Sequence, residues 1–251
     1  MRSVVLLLVL SWLAVPRAHA ACPAQGVTLL PAPGSVVPTN TRFLLEGVGQ
    51  SADPVAALAG RVLWLRTSGH QVEVRVQRGW TSALGRSTVV LRLSESLRAG
   101  LTYTLGLDEV LPGVKVLNAR GGALEWIGGR GADVAKPRWL KRPAVSEGLS
   151  RRTAEGSERF VKLRMTLLED SPAYVVVTLS NRGGSMSSQH YVTPLHNGVA
   201  LVGHDACGGG FALEEGKSYR AKLEVFDASG NTAPPVPPLA FEAPVAIVES
   251  R

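Results

Sequence analysis

Cysteine and histidine are scarce in this chain, with two and five in 251 residues. That excludes a disulfide-dense scaffold, and no Cys/His cassette of zinc-finger spacing occurs. Apolar stripes at i, i+3, i+4 are nearly missing, which excludes a helical bundle or coiled coil. Charged residues are few as well, at 19%, while 45% of the chain is apolar; a disordered chain has the opposite balance. No glycine-rich phosphate loop and no nucleophile motif is found, and nothing in the residues calls for a cofactor. Cations exceed anions only mildly, 27 Lys+Arg against 20 Asp+Glu. Such an excess suits a solvated basic surface or an anionic partner such as acidic polysaccharide. Nucleic acid is not an expected partner, because no aromatic stacking motif accompanies the cations.

What is present begins with the N-terminus. Arg2, the apolar run Val4 to Val15 and the small-x-small triplet Ala18-His19-Ala20 predict a signal peptide over residues 1–20, with the mature chain starting at Ala21. Pro16 and Arg17 end the apolar run at about twelve residues, short of the roughly 20 that a membrane-spanning helix needs. The expectation is therefore an exported protein, periplasmic or extracellular, with no transmembrane segment. In an oxidising compartment the two cysteines, Cys22 and Cys207, are expected to pair. The alternative is a lipid-modified Cys22 holding the chain at a membrane.

Beyond the signal, apolar residues alternate with a period of two. Val72, Val74 and Val76 alternate with polar neighbours; so do Val161, Leu163 and Met165, and Tyr219, Ala221, Leu223 and Val225. Val62–Leu65, Leu101–Leu107, Val114–Val116 and the β-branched run Ala173–Leu179 read as further strands, separated by Gly and Pro turns. A short helix is expected only near Ala52–Leu58. Strands at this spacing without intervening helices predict an all-β protein of two consecutive antiparallel β-sandwich domains, over residues 21–137 and 138–251. The basic stretch Lys136–Arg152 reads as the linker between them. Trp64 is expected in the core, Trp80 in a turn, and Trp126 and Trp139 near the junction.

Two stretches carry a resemblance. Pro31-Ala32-Pro33-Gly34-Ser35, the strand at Arg42–Leu45 and Leu97-Arg98-Ala99-Gly100-Leu101-Thr102-Tyr103 resemble a bacterial immunoglobulin-like domain of the surface-layer type. Gly216-Lys217-Ser218-Tyr219 and Asp227-Ala228-Ser229-Gly230-Asn231 are similar to a fibronectin-type or immunoglobulin-like module. The resemblance implies β-sandwiches used for display, spacing or protein contact, and it brings no catalytic residues with it.

Chemistry-bearing residues concentrate in the second half. His190, His196 and His204 are the candidate ligands for Zn²⁺ or Cu²⁺, while Asp205, Asp227 and Asn231 offer a few oxygens of the kind Ca²⁺ takes. Cys207 beside three glycines and His204 has the parts of an acyl-transfer loop, a reading that a disulfide would exclude. The leading expectation is a non-enzymatic exported binding or structural protein of the cell envelope, with an unknown protein or envelope polysaccharide as partner. The alternative is a periplasmic metal-binding protein using the three histidines, or a cryptic hydrolase at Cys207.

Overall fold

The computed structural model describes residues 25–119, 122–152, 156–181 and 188–246. The expected signal peptide and Cys22 lie outside the described residues. Alternation in the first half produces β1 (Gly26–Leu30), β2 (Val36–Val37), β3 (Arg42–Val48), β4 (Val62–Thr67), β5 (His70–Ser82), β6 (Arg86–Leu93), β7 (Thr102–Leu105) and β8 (Glu125–Gly128). A 3₁₀ turn at Gly49–Ser51 runs into α1 (Ala52–Ala56), where the short helix was expected. These strands form one sheet in the order β1-β3-β6-β5-β4-β7-β8-β2, antiparallel except where β2 runs beside β8. Phe43 of β3 meets Trp126 of β8 edge-on, with ring centroids 4.8 Å apart. Strands distant in the sheet order therefore face one another across a single core that also holds Val27, Leu29, Leu45, Leu65 and Tyr103. Trp126 is fully buried, and its indole N–H donates to the Pro31 carbonyl at 3.0 Å, which removes the cost of burying that dipole.

The second half contributes β9 (Arg138–Arg152), β10 (Ser157–Leu168), β11 (Ala173–Asn181), β12 (Gln189–Pro194), β13 (Val199–Asp205), β14 (Gly208–Gly209), β15 (Ser218–Asp227) and β16 (Leu239–Glu242). They make two antiparallel sheets, β14-β13-β10-β9 and β12-β11-β15-β16. Val161, Leu163 and Met165 of the first sheet pack with Val175, Val177, Leu223 and Val225 of the second, the two-layer arrangement that period-2 patterning requires.

Both halves use the same corner. Leu97-x-x-Gly100-x-x-Tyr103 and Leu213-x-x-Gly216-x-x-Tyr219 each bury the leucine and the tyrosine. The Tyr103 hydroxyl accepts the Arg98 N–H and the Tyr219 hydroxyl accepts the Glu214 N–H, both at 2.9 Å and both five residues upstream. A tyrosine tying the strand to the preceding loop in this way is a hallmark of immunoglobulin-like sandwiches.

Five local expectations give way. Trp126, expected near the junction, lies inside the first core. Residues 138–152 are not a linker but the fifteen-residue edge strand β9, almost entirely exposed. Its cations and Pro143 are residues that guard an open edge rather than break a strand. Val114–Val116 makes only a single bridge, Val116 to Val27. Trp64 is half-buried, because it sits on the face opposite Leu63 and Leu65. Trp80 lies inside β5 and is buried, not in a turn.

The position of Trp80 joins the two sandwiches. Along β5, Val74 lies opposite Leu93 and Val76 opposite Leu91, both on the core side; a bulge follows, after which Arg78 lies opposite Val90 and Trp80 opposite Thr88. The extra residue switches the strand's faces, so Trp80 points out of the first core. There it joins Leu44 and Val90 in a cluster with Tyr174, Val176 and Phe226 of the second sandwich. Those three lie on the face of the β11/β15 sheet opposite Val175 and Val225, which explains why β11 is buried on both faces from Ala173 to Val177. Backbone hydrogen bonds run across the same seam, from the Arg42 N–H to the Ala228 carbonyl at 2.6 Å and from the Gly209 N–H to the Leu84 carbonyl at 3.3 Å.

Candidate functional site

Along one side of the seam lies a cleft of about 370 Å³ walled by both sandwiches. β3 supplies Glu46 and β6 supplies Arg86 from the first; Tyr191, His196, Asp205 and Phe211 come from the second. Arg86 bridges them, 3.6 Å from the Glu46 carboxylate and 3.5 Å from that of Asp205, while its buried Nε has no hydrogen-bond partner among the described residues. The Tyr191 hydroxyl donates to Glu46 at 3.0 Å and lies 2.9 Å from the Thr88 hydroxyl. Burial, and then the Glu46 charge, push its ionisation far above the usual phenol range. Two glycines make room here: a β-carbon on Gly203 would overlap the Arg159 carbonyl, and one on Gly210 would fall 2.6 Å from the Tyr191 ring. The arrangement offers a guanidinium shared by two carboxylates and a phenol that stays protonated. It can hydrogen-bond a polar ligand.

The three histidines do not meet. His190, on β12, has both ring nitrogens engaged: Thr178 Oγ1 lies 2.7 Å from Nδ1 and Arg78 Nη2 lies 3.3 Å from Nε2. Because a guanidinium only donates, Nε2 accepts and Nδ1 carries the proton. That lone pair is not open to a metal, and burial followed by the Arg78 charge lowers the pKa of the ring. His196 lines the cleft at the β12–β13 turn, and His204 Nδ1 donates to the Asp205 carbonyl at 3.3 Å. Among the described residues, the group of three or more ligand side chains within mutual reach is a different one: Asp133, Glu169 and Asp227.

These acids come from three segments. Asp133 precedes β9, Glu169 follows β10 and Asp227 ends β15; each offers an oxygen, and those oxygens lie within 4.8 Å of one another. Asp227 is fully buried. Its Oδ1 accepts the Ser229 and Asn231 N–H groups and its Oδ2 the Asn231 side-chain amide, each at 2.8 Å. Even so, burial first, and the neighbouring Glu169 charge among the lesser causes, hold its carboxyl above the usual range. The Asp133 carbonyl accepts Asn40 Nδ2 at 2.8 Å and Asn231 Nδ2 at 3.1 Å, so the junction peptide is held by both sandwiches. Sequence patterning pointed to Asp227 and Asn231 but not to Asp133 or Glu169, which lie in turns distant along the chain. Asp205 faces Arg86 instead.

Cys207 is not a free thiol, and its N–H is held by Asp205 Oδ1 at 2.8 Å. No helix among the described residues is long and apolar enough to cross a membrane.

No sequence family matches the chain, and no curated protein matches it. Among solved structures it is similar to the FN1–FN3 domains of chicken CNTN1, with 11% identity, a TM-score of 0.28 and coverage of 88% of this chain and 65% of that one. It is also similar to a Ruminococcus gnavus beta-glucuronidase, at 13% identity, a TM-score of 0.23 and coverage of 82% and 35%. The chain thus spans less than two thirds of the length of either, and neither similarity at these scores carries a functional argument. The sheets themselves establish the architecture: two consecutive antiparallel, immunoglobulin-like β-sandwiches.

Proposed function

We propose that this chain is a non-enzymatic exported binding or structural protein of the cell envelope, its first sandwich of the bacterial surface-layer type. The observation that supports this reading is the shared core at the seam, where Leu44, Trp80 and Val90 pack into the second sandwich. Two modules fixed in this way hold a constant relative geometry, which suits spacing or display, and the cleft beside Tyr191 gives a partner a polar foothold. The N-terminal pattern supports export, and a Cys22–Cys207 bridge is part of the same proposal: it would tie the mature N-terminus to the β13–β14 turn and leave Cys22 without a lipid.

Expression of the whole chain in a Gram-negative host tests this. The expected product is periplasmic, begins at Ala21 on N-terminal sequencing, and yields a non-reduced peptide joining the segments around Cys22 and Cys207. Leu201, 45% exposed on the cleft wall, then gives a surface variant: Leu201→Asp should weaken retention on immobilised envelope glycan or protein without altering the fold. A chain kept in the cytoplasm with residues 1–20 intact would overturn the reading, as would turnover of an ester substrate that is lost on replacing Cys207.

A further inference from the structure

We propose that Arg42, Arg92 and Trp80 form a site for the anionic groups of an acidic polysaccharide. The site lies toward the end of β3 and β6 opposite the Tyr191 cleft, at a recess of about 290 Å³ that Arg42, Arg78 and Trp80 line from the first sandwich and Glu224, Phe226 and Thr232 from the second. The inference rests on the envelope reading for its setting and names the chemistry of the partner.

Sheet register places Arg42 opposite Arg92 and Arg92 opposite Arg75, one row of arginines across β3, β6 and β5. Residues directly opposite share a face and lie about 5 Å apart from one strand to the next. This is the face that carries Leu44 and Val90 into the seam, since those residues lie two positions along the same strands. The bulge in β5 adds Arg78 to it, opposite Val90. Like charges directly opposite destabilise a sheet, so the row needs a compensating gain. Glu73 answers Arg75 and Glu224 answers Arg78. Arg42 and Arg92 have no ion pair or side-chain hydrogen bond among the described residues. Burial, and then the Arg92 charge, lower the pKa of Arg42, as an unanswered neighbouring cation does.

A second observation points the same way. Trp80 lines the same recess and is 5% exposed, and its indole N–H has no acceptor among the described residues. An indole nitrogen only donates, so what it lacks is an acceptor, and an anion supplies one. The unanswered cations and the unanswered donor therefore call for the same kind of ligand. Arg42 is also held in place: its guanidinium lies over Gly230, where φ is +84° and a β-carbon would overlap it. A cation fixed in this way pays less ordering entropy when it binds.

The donors select the class. A guanidinium is a planar fork that matches carboxylate, sulfate and phosphate oxygens in pairs. Guanidinium groups set along a line suit a polymer that carries such groups in series better than a single small ion. A lipid surface fits less well, because none of the exposed large apolar side chains among the described residues belongs to these rows, and an interfacial contact needs apolar residues to enter the bilayer. A peptide fits less well too: β3, β6 and β5 are interior strands of their sheet, so the row offers no free edge on which a strand could add. Single-stranded nucleic acid would want exposed aromatic rings for its bases, and Trp80 is buried. An acidic polysaccharide needs only the row and the recess.

The test is calorimetric titration of the whole purified protein with polygalacturonate, with dextran as the neutral polymer, polyglutamate as the acidic peptide and phosphatidylglycerol vesicles as the lipid surface. Saturable binding of polygalacturonate is expected, displaced by inorganic phosphate, with none of dextran and weaker binding of polyglutamate and vesicles. Arg92→Gln should weaken binding by about tenfold, the worth of a charge-assisted hydrogen bond, and Arg92→Glu by more. Both should leave the thermal midpoint unchanged or higher, because each relieves the repulsion with Arg42. Trp80→Phe should keep the fold and lose a few-fold in affinity. Arg164→Gln, which removes the same charge from β10 in the other sheet of the second sandwich, should bind as the parent does. The proposal is overturned if polygalacturonate does not bind, if Arg92→Gln binds as the parent does, if Arg164→Gln loses as much as Arg92→Gln, since general basicity would then account for it, or if polyglutamate or the vesicles bind more tightly than polygalacturonate. Purified protein reports nothing on export, so a failure here leaves the exported chain standing, and a chain found in the cytoplasm leaves the anion site standing.

Discussion

Replacing Trp80 by alanine and by phenylalanine separates what its ring contributes at the seam from what its N–H costs. Trp80 is 5% exposed and sits among Leu44, Val90, Tyr174, Val176 and Phe226, and the Arg78 guanidinium lies 4.7 Å from its ring centroid. An indole buries roughly 200 Å², worth up to about 5 kcal/mol at 25 cal/mol per Å², and core Trp→Ala changes cost about 3–5 kcal/mol. Trp80→Ala should therefore lower the urea midpoint by about 1 M, taking a denaturant slope of about 3 kcal/mol per M. The indole Nε1 is buried with no hydrogen-bond partner among the described residues, and an unsatisfied donor costs about 1–3 kcal/mol. Trp80→Phe loses some ring area but deletes that donor, so the two effects offset and the midpoint should stay within about 0.3 M of the parent. Equilibrium unfolding followed by circular dichroism at strand wavelengths supplies both numbers. A cost below about 1 kcal/mol for the alanine variant would refute a shared core, and a phenylalanine variant as damaged as the alanine one would refute the accounting of the N–H.

Other consequences follow from individual contacts. Tyr103→Phe and Tyr219→Phe each remove a corner hydrogen bond from a buried ring, so each should cost about 1–2 kcal/mol in chemical denaturation, and the two costs should add because the corners lie in different sandwiches. Tyr191→Phe deletes the link to Glu46 and Thr88, and about 1–2 kcal/mol should be lost by the same measurement. His190 is held neutral by burial and by Arg78, with Glu224 opposing and Thr178 and Trp80 beside it. Its folded pKa is lowered, so the unfolded chain takes up the proton first and the native state loses stability as pH falls below the ordinary histidine range. His190→Gln should flatten that part of the stability–pH curve, and an unchanged slope would show that His190 does not supply it.

How far the sequence reaches is clearest in β5 and β9. Val72, Val74 and Val76 announce their face by alternation, and carrying that count forward would put Trp80 on the same side. One bulged residue reverses it, and no pattern of residue types marks that residue. β9 misleads in the other direction: an edge strand exposed on both faces has no apolar alternation to show, so its arginines and lysines read as a tether. The Leu-x-x-Gly-x-x-Tyr corner was readable at Tyr103 and, in part, at Tyr219, because its spacing is fixed by a local backbone turn. The site residues were less accessible. Asp227 and Asn231 share one turn and stand out together, whereas Glu169 and Asp133 reach them only through the packing of separate segments. The histidines were close in sequence, but β12 and β13 belong to different sheets, which carries His190 and His204 apart.

Central to this account is that the two sandwiches, with distinct interiors, behave as one unit because Trp80, Leu44 and Val90 belong to the second core. Differential scanning calorimetry of the purified chain tests it most directly. A single endotherm whose calorimetric and van't Hoff enthalpies agree is the predicted result; two resolved transitions, one for each sandwich, would contradict it.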